Sequence, residues 1–200
     1  MDNNVKEAYN KICDHWSTFR NNTPINQCII DFAKMLKPNS HILDVGCGSG
    51  YPIASYLSKL GFKVTGIDIS NEMIKKAQQL NLPNASFIVE DLLNYKSEER
   101  YDAIIAFDSI WHIDYDNQEK IYQIVSSLLV PNGLFIFTHG KNDGEIIGTM
   151  WGESFYHSAL DAKKVVNLLE QNHFKIVAYV EDYEEKTTGD RELLIVAQKI

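Results

Sequence analysis

Three glycines at alternate positions, Gly46, Gly48 and Gly50, follow an acid, Asp44, that lies within the apolar run Ile42-Leu43-Asp44-Val45. Residues without a Cβ let a backbone turn sharply and lie directly against a ligand. An amphipathic pattern begins at once, with Ile53, Ala54, Leu57 and Leu60 on one helical face and Pro52 suited to a first-turn position. A helix starting there aims unpaired N–H groups at whatever the turn holds. Further acids recur at the ends of apolar runs: Asp68 after Val64-Thr65-Gly66-Ile67, Asp91 after Phe87-Ile88-Val89-Glu90, and Asp108 after Ala106-Phe107. A carboxylate one strand beyond a glycine turn can accept both hydroxyls of a ribose.

These groups need a scaffold, and the apolar periodicity supplies one. It predicts strands at 41–45, 62–67, 85–89, 101–107 and 133–138, and helices at 52–60, 71–80, 117–129 and 161–171. Ile121, Ile124, Val125, Leu128 and Leu129 form the clearest helical stripe. Residues 1–36 read as two helical stretches divided at Asn21-Asn22-Thr23-Pro24. Alternating strands and helices imply an α/β fold with a parallel sheet covered on both faces and right-handed crossovers. Two closing strands, 174–180 and 193–197, are separated by a polar loop at 184–190, short enough to return the chain antiparallel. One domain over 1–200 is expected, with 1–36 as a cap and 140–160 as a lid insertion.

A dinucleotide site shares the glycine turn and the ribose acid, but its pattern requires glycine where Tyr51 stands. Asp44 would repel a pyrophosphate and attract an ammonium group. The ligand suggested is a nucleoside with an amino-acid tail and no phosphate. That combination resembles the class I S-adenosylmethionine-dependent methyltransferases. Ile42 to Gly50 is similar to their glycine motif, Ile67-Asp68 to their ribose motif, and Glu90-Asp91-Leu92 to their adenine motif. Tyr101 to Phe107 and Leu129 to Ile136 resemble their fourth strand and the entry to their fifth. The resemblance implies a seven-stranded, mostly parallel Rossmann-like sheet whose last strand runs antiparallel between the fifth and sixth. It implies S-adenosyl-L-methionine as cofactor, held by Asp44, Gly46, Gly48, Gly50 and the backbone at Phe107. Asp68 would hold the ribose, Ile69 and Met73 would lie against the adenine, and Asp91 with the Leu92 N–H would bond its edge.

The acceptor side is expected to be a small molecule bound by Tyr51, Trp111, Trp151, Phe155 and Tyr156, with Asp108, His112 and His139 as candidates for handling a proton. For a hydroxyl acceptor His139, directly at the end of the fifth strand, is favoured as base over His112; an amine that binds neutral needs none, and Asp108 would then orient its N–H. Each choice has a structural alternative. Trp16 and Phe19 fit helix packing, the 151–156 aromatics fit a lid core, and both histidines fit roles in orienting or packing. Tyr9, Trp16, Phe19 and Arg20 are placed to close the pocket from the N-terminal side. No metal is expected, because Asn142 and Asp143 fall beyond the fifth strand's end.

Composition narrows the partners. A net charge of −8 argues against a broad nucleic-acid surface. No apolar run approaches a membrane span, and residues 1–9 are too polar for a secretory signal. Cys13, Cys28 and Cys47 lack metal or redox spacing, which suits reduced thiols in the cytoplasm. A monomer or homodimer is expected. Competing readings are a tRNA or protein methyltransferase, a nicotinamide-dependent oxidoreductase, and a cofactor-binding protein without catalysis.

Overall fold

Apolar alternation from His41 to Val45 sends Ile42 to one face of the sheet and Leu43 and Val45 to the other, and this strand, β1, is fully enclosed. The computed structural model describes residues 4–185 and 189–200, so residues 1–3 and part of the expected polar loop at 184–190 lie outside the described residues. Ahead of β1 come α1 (Val5–Asn21) and α2 (Gln27–Lys34). After it follow α3 (Ile53–Lys59), β2 (Lys63–Asp68), α4 (Asn71–Gln79), β3 (Ala85–Val89) and β4 (Tyr101–Ala106). Two 3-10 turns, Ile110–His112 and Tyr115–Asn117, lead into α5 (Gln118–Leu128) and β5 (Leu129–His139). The chain continues through β6 (Gly144–Met150), β7 (Glu153–Ala159), α6 (Ala162–Gln171), β8 (Phe174–Tyr183) and β9 (Arg191–Lys199).

Seven strands form one sheet in the order β3-β2-β1-β4-β5-β9-β8. Pairings from β3 through β5 are parallel, and β9 runs antiparallel to both β5 and β8. The expected antiparallel strand therefore lies where the resemblance places it. The order reverses between β1 and β4, which opens a crevice at their carboxyl ends. Two apolar layers hold the sheet. Leu43, Ile104, Phe135 and Phe137 meet Ile121, Val125 and Val165 of α5 and α6. Ile42, Val64, Ile105 and Ile136 meet Ile29, Phe32, Leu57 and Ile74 from the helices opposite. Each such fully buried side chain contributes about 1.5–3 kcal/mol.

The connection at 140–160 has secondary structure of its own. It is a β-hairpin, β6 and β7 paired from Gly144↔Ala159 to Met150↔Glu153, in a sheet of its own. Its turn, Trp151-Gly152, has φ of 49° and 85°, so both central residues are left-handed as a type I′ turn requires. Glycine fits that turn; tryptophan at its first position disguises it. A third apolar cluster joins Val5, Ala8 and Ile12 of α1 to Phe155 and Tyr156 of β7, with Tyr9, Trp16, Ile69 and Met150 packed against it. This small core clamps α1 and the hairpin together over the crevice. Two boundaries also shift. Pro52 stands at the cap of α3 rather than within its first turn, and β5 begins at Leu129, which already pairs with Tyr101.

Candidate active site

The glycine turn is fixed by main-chain bonds across to β2. Gly46 and Cys47 donate their N–H groups to the Ile67 carbonyl at 2.8 and 3.0 Å. Asp68 accepts from the Gly48 N–H at 2.9 Å and from the Ser70 N–H at 2.8 Å, one on each oxygen. The same carboxylate thus ties the turn after β1 to the start of α4, and each oxygen keeps a lone pair for a further donor. Gly46 has φ of +72°, and a Cβ there would overlap the Ser109 Cβ. A Cβ on Gly48 would lie 3.3 Å from Trp16 Nε1, so α1 rests directly on the turn. Gly50 departs from expectation: it does not line the cavity but turns the backbone against Leu80, Ala77 and Phe87. Its requirement is packing.

A cavity of about 540 Å³ opens over this turn, bounded by Asp44, Gly46, Asp68, Met73, Asp91 and Phe107 among others. Asp44 Oδ2 and Ser109 Oγ are both buried without a hydrogen-bond partner, and both residues line it. Buried polar atoms are rarely left unpaired, so these two suit a ligand group rich in donors, such as an ammonium. Burial pushes the Asp44 carboxyl up to about 7, reinforced by the Asp68 charge and opposed by the Arg20 guanidinium. Burial likewise raises Asp68 to about 6, against the pull of the Ser70 and Gly48 N–H groups. At the far end Ile69, Met73 and Leu92 supply apolar wall; Asp91 lines the same end while its Oδ1 accepts the Leu93 N–H at 2.9 Å.

Arg20 is the residue whose weight the sequence understates. It is only 6% exposed, its guanidinium lies 5.6 Å from the Trp16 ring centroid, and it borders this cavity. Burial lowers its pKa, offset by the charges of Asp108 and Asp44. The signal was present: positions 9, 16 and 20 recur on one face of α1.

A second cavity of about 760 Å³ lies between the hairpin, the loop after β4 and the start of β9. Tyr9, Trp16, Asp108 and His112 border both cavities and so form the passage between them. The His112 ring is fully engaged there. Its Nδ1 meets the Tyr156 carbonyl at 2.7 Å, and its Nε2 accepts from Trp111 Nε1 at 3.2 Å and faces the Tyr9 hydroxyl at 2.9 Å. Those partners select the Nδ1–H tautomer, and burial drives the pKa down to about 4.

Several expectations are corrected here. His139 is fully buried, with Nδ1 2.7 Å from the Gly140 carbonyl and Nε2 3.2 Å from Gln118 Oε1. It borders the second cavity but not the passage to the first, and burial lowers its pKa, which keeps the ring neutral. Asp108 is held by Arg191 through a two-pronged ion pair and also accepts from the Thr138 hydroxyl at 3.1 Å, so its charge is already compensated. Trp151 sits at the hairpin turn, 46% exposed, against Trp16 and Phe19, outside both cavities. Tyr156 turns away from the second cavity; its hydroxyl donates to Glu145 at 2.6 Å and accepts the Tyr115 N–H at 3.0 Å. Tyr51 lines the first cavity instead of the second. Trp111 and Phe155 do line the second, Phe155 with its ring edge-to-face against Tyr9 at 4.9 Å. Arg191, absent from the sequence reading, had no local signal, since its partner lies 83 positions away.

The family described as a methyltransferase domain matches residues 42–133, the glycine turn through the start of β5. A malonyl-[acyl-carrier protein] O-methyltransferase of Ilyobacter polytropus is 30% identical over 155 residues, covering 74% of this chain and 57% of the relative. A release factor glutamine methyltransferase of Fusobacterium nucleatum is 30% identical over 189 residues, covering 88% of this chain and 51% of the relative. The chain thus spans about half the length of these curated relatives. Among solved structures, magnesium protoporphyrin IX methyltransferase from Synechocystis, with bound S-adenosylmethionine, superposes with a TM-score of 0.76 at 20% identity, over 100% of this chain and 98% of that one. Sheet order, glycine turn and these relatives agree: residues 42–133 match a methyltransferase domain, and the fold is that of the S-adenosylmethionine-dependent methyltransferases.

Proposed function

We propose that this chain binds S-adenosyl-L-methionine in the first cavity and transfers its methyl group to a nitrogen or oxygen of a small molecule held in the second. The observation that carries this reading is the pair of unpartnered buried atoms, Asp44 Oδ2 and Ser109 Oγ, at the end of a glycine-turn cavity that opens onto another through Tyr9, Trp16, Asp108 and His112. Asp68 would hold the ribose hydroxyls, Asp44 and Ser109 the amino group, and Arg20 the carboxylate of the amino-acid tail. Ile69, Met73, Asp91 and Leu92 would receive the adenine. When bound, the cofactor supplies a methyl group on a positively charged sulfur. The protein's part is then alignment of the acceptor and exclusion of water, which α1 and the hairpin provide by roofing the passage.

Residues 1–200 are read as one domain, with α1 and β6–β7 as its cap. No helix among the described residues is long and apolar enough to cross a membrane. We place the protein in the cytoplasm, as monomer or homodimer, without a nucleic-acid partner. Calorimetry with S-adenosylmethionine, S-adenosylhomocysteine and NAD tests the assignment. The first two should bind and NAD should not, and Asp68→Ala should weaken binding by on the order of 1–3 kcal/mol. Equal affinity of wild type and Asp68→Ala, or preference for NAD, removes it; a labelled-methyl screen over amines, phenols, thiols and carboxylates then identifies the acceptor.

A further inference from the structure

We infer that the methyl acceptor is an amine, the nitrogen of a small molecule that enters the second cavity as an ammonium ion and reacts as the free base. This rests on the methyltransferase reading above and names the substrate class of that same site.

Any transfer between the cavities must occur at the passage. An alcohol or phenol has to lose its proton as the new C–O bond forms, and a positioned base normally takes it. None of the four passage residues offers a base whose charge or lone pair is uncompensated. Both Asp108 oxygens are held by Arg191, and Oδ1 also takes the Thr138 hydroxyl. His112 Nε2 already receives the Trp111 N–H and faces the Tyr9 hydroxyl, while its Nδ1 is turned to the Tyr156 carbonyl. Burial raises the Tyr9 pKa, which keeps its hydroxyl protonated. Trp16 has no acceptor to offer. His139 borders the second cavity only and is fully buried, with Nδ1 turned to the Gly140 carbonyl and Nε2 to Gln118 Oε1. His157, on β7, faces the second cavity beside Trp111 but does not reach the first.

Two acceptor classes react without a base: a neutral amine and a carboxylate. Charge decides between them. Asp143, Glu145, Asp190 and Glu192 all border the second cavity, and its one cationic side chain among the described residues, Arg191, is bound to Asp108. A carboxylate would face four like charges, whereas an ammonium is drawn in by them. Tyr9, Trp16, Trp111 and Phe155 add ring faces and edges to the wall, and aromatic faces attract cations. The amine gives up its proton to solvent in the open second cavity. Its lone pair then forms the N–C bond as the S–C bond breaks, the bonding pair returning to sulfur to leave a neutral thioether and a methylated ammonium.

Three compounds of one shape, benzylamine, benzoate and benzyl alcohol, test this. Each is titrated into the protein loaded with S-adenosylhomocysteine, then offered as acceptor with labelled S-adenosylmethionine between about pH 6 and 9. Benzylamine should bind at least about tenfold more tightly than either analogue, and the double variant Glu145→Gln/Glu192→Gln should lose most of that preference. Transfer to benzylamine should rise about tenfold per pH unit below the amine's pKa, and His157→Asn should keep the same slope. Binding of benzoate or benzyl alcohol as tight as that of benzylamine, methylation of either oxygen compound in preference, or loss of the slope in His157→Asn overturns the inference. If S-adenosylhomocysteine itself fails to bind in the loading step, the methyltransferase reading falls and this inference with it; failure confined to the second titration removes the amine alone.

Discussion

The two cavities are built in different ways. The first is floored by the carboxyl ends of β1, β2, β3 and β4, strands of the main sheet, and its key bonds run between neighbouring strands. The second is roofed by the β6–β7 hairpin, which pairs with no strand of the main sheet and leaves Ile146 and Ile147 exposed on β6. Its hold on the molecule runs through the small cluster with α1 and through the turn that carries Trp111 and His112. One half is therefore tied to the cooperative core and the other to a satellite core that can open or change without disturbing the sheet. Such a division suits a fixed cofactor and a variable acceptor.

The largest effect expected on the cofactor side comes from Gly46→Ala. Its left-handed φ and the overlap with Ser109 should together destabilise the protein by on the order of 2–5 kcal/mol and abolish S-adenosylhomocysteine binding, as urea unfolding and calorimetry would show. Unchanged stability would mean the turn is softer than the rest of its half.

His139→Ala addresses the border between the halves. Removing the ring leaves a void and strips Gln118 Oε1 of its partner, for a loss of about 2–4 kcal/mol in unfolding free energy with S-adenosylhomocysteine affinity retained. A variant that keeps full stability but loses turnover would return this histidine to the chemistry.

Proton linkage sharpens the contrast, because Asp44 lies only in the first cavity. Its carboxyl is raised to about 7 in the folded protein, above its unfolded value of 3.8. Its contribution to stability is thus fully present below the unfolded value and is lost as pH rises towards 7. Cofactor affinity should run the other way, since only the ionised carboxylate attracts an ammonium. It should rise by up to about tenfold per pH unit until pH 7 and then level off. Asp44→Asn should flatten both curves; an unaltered affinity profile in that variant would detach Asp44 from the amino group.

The smallest effect tests mobility. S-adenosylhomocysteine should slow hydrogen exchange several-fold in α1 and in β6–β7, with little change in β1 and β4. Equal protection of hairpin and sheet before the ligand is added would erase the difference between the halves.

The first cavity was legible because its determinants are local. A strand, its glycine turn and the acid at the next strand's end lie within 42–68, and backbone chemistry makes each motif readable without knowledge of distant partners. Even there the packing role of Gly50 needed α4 and β3 in place. The last two strands were also readable, since a short polar connection admits only an antiparallel return.

The second cavity was decided by tertiary structure. Its wall joins segments near residues 9–16, 108–112, 139–159 and 190–192, and no periodicity links them. A histidine at a strand's end has the same sequence signature whether it faces a substrate or, like His139, is locked between Gly140 and Gln118. Asp108 reads as a free acid until β9 brings Arg191 to it across the sheet. Trp151 reads as a binding aromatic until a two-residue turn carries it to the outside of α1. Sequence by itself determined the sheet, the glycine turn and the acids that line the first cavity, because strand periodicity and left-handed turns are properties of a few adjacent residues. Which side chains face the acceptor, and which are already spent on one another, only the folded chain decides, because hydrogen-bond and ion-pair partners are chosen by proximity in space.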